Sequence, residues 1–282
     1  MLKKPEWLRV PYYSEESRTF IIELLSELKL NTVCIEANCP NLPECFSNKT
    51  ATFMILGTNC TRKCSFCNVS FGDPQPVAEN EPAGIALAIK RLGLVYVVVT
   101  SVTRDDLSDG GAFQFASVIR AIHNTSPETA IEVLIPDLTE LKKITDESPA
   151  VISHNIETVS SLYAAVRPEA SYCRSLDVLK SVKRLDPKIK TKSGLMLGLG
   201  ETRDEVLKTF DDLLDTGCDF LTIGQYLSPG KKHYPVHMYI EPHVFSEYAE
   251  IARSKGFKYT ESAPFVRSSY NAKKALLSTA DN

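Results

Sequence analysis

Six of the eight cysteines in this 282-residue chain lie between positions 34 and 67, in two sets of three. Cys34, Cys39 and Cys45 are spaced C-x4-C-x5-C; Cys60, Cys64 and Cys67 are spaced C-x3-C-x2-C within GTNCTRKCSFCNV. Grouped cysteines outside an oxidising compartment point to metal or redox chemistry, not to a disulfide framework. Three thiolates on a short loop can hold three irons of a [4Fe–4S] cube and leave the fourth iron without a protein ligand, because soft thiolates suit such clusters. Zinc is the competing chemistry. A closed zinc site wants four ligands, no further Cys or His completes the second triplet nearby, and the first would need one distant ligand. His123, His154, His233, His237 and His243 show no metal-ligand spacing and read as surface or packing residues. Cys173 and Cys218 stand alone in amphipathic stretches and read as small buried hydrophobes.

These residues need a frame. From about residue 50 the chain alternates apolar runs with helical patterns. Strands are expected at 51–57, 95–102, 130–136, 150–157, 190–200 and 220–227. Helices are expected at 81–93, 111–124, 139–145, 159–166, 174–186 and 242–256, with a further one opened by the capping-box pair Thr202 and Glu205. Strands alternating with helices imply right-handed crossovers around a parallel sheet, and near-continuous apolar strands fit a sheet covered on both faces. Six units predict an α/β fold: an incomplete (β/α)6 TIM-like barrel with N- and C-terminal extensions, or an open doubly wound sheet. Either arrangement places the site at the C-terminal ends of the strands. The polar residues there are Thr58, Asn59, Thr100, Ser101, Asn155, Glu157, Gly198 to Glu201, and Gln225. Three segments are expected: an extension over 1–49 with the first triplet, a barrel over 50–260, and a tail over 261–282.

Composition narrows the function classes. The chain is 43% hydrophobic and 24% charged, with a net charge of −3 from 32 basic and 35 acidic residues. That is an ordinary globular balance, without the basic field that nucleic-acid binding would use. No run of about 18 apolar residues exists, so no membrane span is expected. The N-terminal stretch has lysines but no apolar h-region, so it does not read as a secretory signal and the expected location is cytoplasmic.

The second triplet after a first strand, with Phe66 immediately before its last cysteine, resembles the radical S-adenosylmethionine superfamily. The first triplet ahead of it resembles the lipoyl synthase family, as do TSVTRDDLSDGGA (100–112), HNIETV (154–159), SGLMLGLGET (193–202) and RSSY (267–270). The resemblance spans about residues 5–272. It implies two [4Fe–4S] clusters and S-adenosylmethionine as cofactors. Cys60, Cys64 and Cys67 would hold the reducing cluster, whose open iron binds S-adenosylmethionine and whose electron releases a 5′-deoxyadenosyl radical. Cys34, Cys39 and Cys45 would hold an auxiliary cluster consumed as the sulfur source. Its fourth ligand would be Ser269 of RSSY, with the adjacent Ser268 as the alternative. The implied reaction inserts sulfur at C6 and C8 of an octanoyl chain carried on a lysine. The implied partners are octanoylated carrier proteins or domains and an electron-donor protein, with no nucleic acid and no membrane.

The same resemblance implies cofactor contacts. Asn155 and Glu157, on one face of a strand end, suit the ribose hydroxyls. Thr100 suits the methionine amino group, Arg174 the methionine carboxylate, and Gly198 with Glu201 the adenine. A sulfur-inserting enzyme of the biotin synthase kind lacks the upstream triplet and RSSY. A non-catalytic iron–sulfur protein would need no strand-end cofactor site.

Overall fold

The computed structural model describes residues 3–9, 15–47 and 52–278. The expected boundary at 49/50, the first residue of the first expected strand and residues 279–282 of the tail lie outside the described residues. The chain divides into two compact units: residues 10–62 with 68–150, and residues 1–9 with 63–67 and 151–282.

In the first unit, helix α1 (Glu15–Glu27), strand β1 (Asn31–Thr32) and helices α2 (Val33–Glu36) and α3 (Leu42–Ser47) precede β2 (Thr52–Ile55). A small ladder of β3 (Asn59–Cys60) and β4 (Ser70–Phe71) follows, then α4 (Glu81–Leu92), β5 (Tyr96–Ser101), α5 (Ala112–Thr125), β6 (Ala130–Leu134) and α6 (Leu141–Thr145). Strands β2, β5 and β6 run parallel, with Phe53 beside Val99 and Val98 beside Glu132, and β1 adds antiparallel to β2. Helix α4 packs beside α5. Their covering explains the apolar strand sequences: Phe53, Ile55, Val97, Val99, Ile131 and Val133 are all buried. Pro82 sits in the first turn of α4, and Gly93, at φ +63°, ends it by donating to the Ile89 and Lys90 carbonyls.

The second unit holds β7 (Val151–Ser153), α7 (Tyr163–Val166), α8 (Tyr172–Leu185), β8 (Lys190–Leu197), α9 (Arg203–Asp215), β9 (Phe220–Gln225), α10 (Pro242–Lys255), β10 (Tyr259–Ser262) and α11 (Ala272–Leu277). Its strands are parallel in the order β7-β8-β9-β10. Leu195, Leu197, Val206, Phe210, Leu213, Leu221, Ile223 and Phe245 form its core, where Phe210 meets Tyr248 and Phe257 edge-on. Thr202 and Glu205 make the expected capping box on α9, a device worth about 1 kcal/mol.

Three expectations change. Strand β7 ends at Ser153, so Asn155 and Glu157 do not alternate on a strand face. The backbone turns there, with Glu157 at φ +66° and bridged to Leu195. A further parallel strand, β10, pairs with β9 across position 260, where alternation was expected to stop. Only Thr260 of its four residues is buried, so its sequence, YTES, has no apolar run to detect. Cys218 is buried as expected, but Cys173 is exposed. The inward stripe of α8 is Tyr172, Ser175, Val178, Leu179 and Val182, and Cys173 falls outside it.

Candidate active site

The chain leaves β2 through a strained turn. Leu56 has φ +67° and Gly57 φ +90°, and a leucine in the left-handed region costs about 1–2 kcal/mol. Buried neighbours hold it there. Both oxygens of Glu81 accept from the Leu56 N–H, at 3.2 and 3.1 Å, and one also accepts from Gln114 Nε2 at 2.8 Å. Arg104 Nη1 donates to the Leu56 carbonyl at 3.2 Å, while its Nε and Nη2 hold Asp106. Burial pushes the Glu81 carboxyl above its ordinary range, and Gln114, the Leu56 N–H and Arg104 oppose that rise. Gly57 is required because any Cβ would lie 2.4 Å from Gln75 Oε1, which accepts from the Thr58 N–H.

Cys60 follows at the end of β3. Its sulfur accepts from the Arg62 and Thr103 N–H groups at 3.4 and 3.3 Å, which fixes where the sulfur points. Arg62 is clamped by Asp105 and Asp137, at 2.7 and 2.5 Å. The TRDD stretch thus positions the Cys60 loop. Gly111 of the same sequence run leaves room for Leu56, whose Cδ1 would be 2.3 Å from an added Cβ.

Cys64 and Cys67 are set by the second unit. Ser65 N–H donates to the Val166 carbonyl at 3.0 Å and Ser65 Oγ to the Ala165 carbonyl at 2.8 Å. Lys63 N–H donates to Glu169 Oε2 at 2.6 Å, and Cys67 N–H to the Cys64 carbonyl at 3.1 Å. Phe66 packs with Val166, Leu199 and Tyr226, which gives that aromatic an anchoring role between the two cysteines.

The first triplet is gathered by α2 and α3. Thr32 Oγ1 caps α2 by accepting from the Cys34 N–H at 3.2 Å and donates to the Thr52 carbonyl at 2.7 Å. Cys39 N–H donates to the Cys34 carbonyl at 3.0 Å, and Cys45 N–H to the Asn41 carbonyl at 2.9 Å. Burial, then Cys34, Cys39 and Glu44, push the Cys45 thiol up to about 12. A Cys45 thiol that burial and its neighbours keep from ionising as a bare group fits a centre whose irons supply positive charge. Among the described residues no three His, Cys, Asp or Glu side chains converge on one ion position. A cube asks for a wider set, since each thiolate binds a different iron.

The expected cofactor contacts divide. Thr100, in the first unit, is buried and its hydroxyl donates to the Leu134 carbonyl at 2.9 Å. In the second unit, Asn155 Nδ2 donates to Glu157 Oε1 at 3.0 Å, so these two side chains do meet. Burial raises the Glu157 carboxyl; Arg167 and Asn155 oppose the rise. That arginine was not singled out in the sequence, where a lone arginine before a proline carries no spacing signal. Arg167 is buried, with Nη1 donating to the Asn155 carbonyl (3.1 Å), Tyr163 Oη (2.6 Å) and Ser175 Oγ (3.3 Å). Arg174, by contrast, is exposed near the start of α8. Glu201 folds back to accept from the Gly198 and Leu199 N–H groups at 2.6 and 2.9 Å. It thereby closes a turn whose glycines have φ +94° and +112°.

The tail reaches the same strand ends. Gln225 N–H donates to the Pro264 carbonyl at 3.1 Å, and Ser268 Oγ donates to Asn155 Oδ1 at 2.9 Å. Ser269 is half-buried.

Comparison with known proteins gives the family. The radical SAM superfamily pattern matches residues 54–213. The lipoyl synthase of Alkaliphilus metalliredigens is 54% identical over 278 residues, covering 97% of this chain and 96% of its own. That of Caldicellulosiruptor saccharolyticus is 58% identical over 274 residues, covering 96% of each. Among solved structures, the [FeFe]-hydrogenase maturase HydG aligns with TM-score 0.59 at 12% identity, over 80% of this chain and 54% of its own. Methylornithine synthase (PylB) aligns with TM-score 0.53 at 15% identity, over 66% of this chain and 56% of its own. The chain spans little more than half of either, and at these identities the likeness concerns the fold. With near-complete coverage by relatives of that identity, and with both cysteine triplets in place, the chain belongs to the lipoyl synthase family of the radical SAM superfamily.

Proposed function

We propose that the chain inserts sulfur at C6 and C8 of an octanoyl group held in amide linkage on a carrier protein's lysine, with Cys34, Cys39 and Cys45 binding the sulfur-donating cluster. The observation that carries this is the first triplet, with Cys34 on α2, Cys45 on α3 and Cys39 in the loop between them, none of the three in a disulfide. When bound, the cluster of Cys60, Cys64 and Cys67 supplies an electron to S-adenosylmethionine and so the hydrogen-abstracting power that an unactivated C–H bond requires.

The protein's own residues hold and orient. Arg62, fixed by two carboxylates, keeps the Cys60 loop in shape, and the Ser65 bonds do the same for Cys64 and Cys67. Asn155 and Glu157 form a polar pair suited to ribose hydroxyls, with Arg167 bonded to the Asn155 carbonyl. The exposed guanidinium of Arg174 is free of ion pairs among the described residues and suits a carboxylate. Gly198 and Glu201 belong to the turn assigned to the adenine in this reading, with Gln225, Met238 and His237 packed on the side-chain faces of its glycines. Thr100 keeps its oxygen lone pairs for an ammonium group while its proton goes to Leu134.

Ser269 is the fourth auxiliary ligand in this reading. Ser268 has its hydroxyl committed to Asn155, which favours its neighbour. An alcohol oxygen is a harder ligand than a thiolate and matches cluster iron less well, so Ser269 would hold a bound auxiliary cluster less firmly than the three cysteines. The partners are an octanoylated carrier and an electron donor. No helix among the described residues is long and apolar enough to cross a membrane, and the reading places the work in the cytoplasm.

Anaerobic reconstitution tests it. Two clusters should approach about eight irons and eight sulfides per chain. Incubation with an octanoyl-lysine peptide, reductant and S-adenosylmethionine should add two sulfurs by mass. Tight zinc without an iron chromophore, or an unmodified peptide beside released 5′-deoxyadenosine, overturns it.

A further inference from the structure

One buried amide gathers four backbone groups and has no part in the assignments above. Gln225, the last residue of β9, is 1% exposed. Its Oε1 accepts from the Ile240 N–H at 2.8 Å. Its Nε2 donates to the carbonyls of Leu197 (3.1 Å), Tyr226 (3.0 Å) and Met238 (3.0 Å). Two hydrogens therefore serve three acceptors, one of them shared. The orientation is fixed, because a turned-over amide would face three carbonyl oxygens with a fourth. Its polar position at a strand end suggests a ligand contact; its bonds show a fastening instead.

What it fastens joins two parts of the site. His237 N–H and Met238 N–H donate to the Gly198 carbonyl at 2.9 and 3.4 Å, so the 234–240 loop lies on the glycine turn. Any Cβ at Gly198 would sit 2.3 Å from both Gln225 Nε2 and the Met238 oxygen. At the loop's other end Tyr226 Oη donates to the Tyr234 carbonyl at 2.7 Å, and Tyr234 N–H to the Ser65 carbonyl at 2.8 Å. Tyr234 and Val236 pack with Phe66 around Val166, Leu199 and Tyr226.

We infer that Gln225 is a positioning residue that locks the 234–240 loop between the Cys64–Cys67 segment and the Gly198–Glu201 turn, and thereby sets the affinity for S-adenosylmethionine. This rests on the proposed assignment of that turn to the adenine half of the cofactor. Gln225→Glu keeps the side chain's volume and the acceptor for Ile240 but replaces the donor facing three carbonyls with an oxygen. The loop should loosen while β9 and the cysteines stay.

The test uses the full, cluster-loaded chain with S-adenosylmethionine itself as probe. Gln225→Glu should raise its dissociation constant about tenfold, because an unlocked loop must be ordered on binding. Hydrogen exchange at the Ile240 and His237 amides should quicken, while iron per chain and the reduced-cluster spectrum without S-adenosylmethionine match the unsubstituted chain. Tyr226→Phe, which removes one hydroxyl and keeps the ring, should shift affinity the same way by a smaller factor and serves where the first variant fails to fold. Unchanged affinity in a folded variant overturns the inference, as does a loss that only tracks the unfolded fraction. An unsubstituted chain that does not bind S-adenosylmethionine would instead overturn the underlying functional reading.

Discussion

Gly224→Ala probes the tail without touching a ligand. Gly224 lies within β9 in an ordinary strand conformation, so alanine brings no penalty from a left-handed backbone. The cost is contact. A methyl there would sit 2.1 Å from the Val266 carbonyl oxygen, where ordinary contact begins near 3.4 Å, so the segment must retreat by about 1.3 Å. The neighbours cannot absorb this easily: Val266 N–H is bonded to the Ala263 carbonyl, and Arg267 Nη1 to the Val266 carbonyl at 2.6 Å. Overpacking of this kind costs about 1–3 kcal/mol, or roughly 2–12 °C in melting temperature for a chain of this size. Ser268 and Ser269 lie two and three residues beyond the displaced Val266. If Ser269 ligates iron, a shift of this length should lower sulfur insertion about a hundredfold, with 5′-deoxyadenosine release falling less. Anaerobic turnover with an octanoyl-lysine peptide, quantified by mass for both products, reads the split. Gly93→Ala is the control: its Cβ would meet nothing within 4 Å, so it should lose about 1 kcal/mol for its backbone conformation alone and keep full turnover. A folded Gly224→Ala protein with native lipoyl yield would refute the role given to the tail.

Cys64→Ala should abolish cleavage of S-adenosylmethionine, whereas Cys39→Ala should leave cleavage measurable and stop sulfur insertion; native lipoyl yield from Cys39→Ala would require another sulfur source. Ser269→Ala should retain iron at the first triplet but lose most insertion, and unchanged turnover would make the hydroxyl dispensable. Because burial raises the Glu157 carboxyl, its protonated form favours folding: that stability is present below the unfolded value of about 4.3 and is lost as pH rises through the folded value. Glu157→Gln should therefore reduce the decline of melting temperature above pH 4.3, and an identical slope in both proteins would show that the carboxyl is not desolvated as described. Thr202→Ala should cost about 1 kcal/mol through the lost cap, visible as a lower melting temperature with no change in cluster content.

Local structure was legible where spacing carries it. Two cysteine triplets, the Thr202–Glu205 cap, and Pro82 with Gly93 bounding α4 all depend on residues close in sequence, and each stands where the pattern put it. What sequence could not supply was the set of distant partners. Nothing in the order of residues pairs Glu81 with the Leu56 amide, Arg167 with Asn155, or Gln225 with Met238. The glycine turn after β8 was visible, but not that Gln225 and Met238 fill the space where a side chain would be. Strand β10 escaped notice because an edge strand with one buried residue has no apolar run. Asn155 and Glu157 meet, but through a left-handed turn at Glu157 and not through the two-residue repeat of a strand.

The buried carboxylate at Leu56 has a consequence for assembly. Opening this turn would take the Leu56 N–H from both oxygens of the buried Glu81 carboxyl, and a buried polar group left short of a hydrogen bond is costly. Local unfolding should therefore start elsewhere, and the Leu56 amide should exchange hydrogen only as slowly as the surrounding unit opens globally. Small zinc domains wait for metal before they fold. Here the stretch leading to Cys60 is held by protein contacts, with Glu81 and Arg104 bonded to the Leu56 backbone, so the ordering entropy of that part of the loop should belong to folding and not to cluster loading.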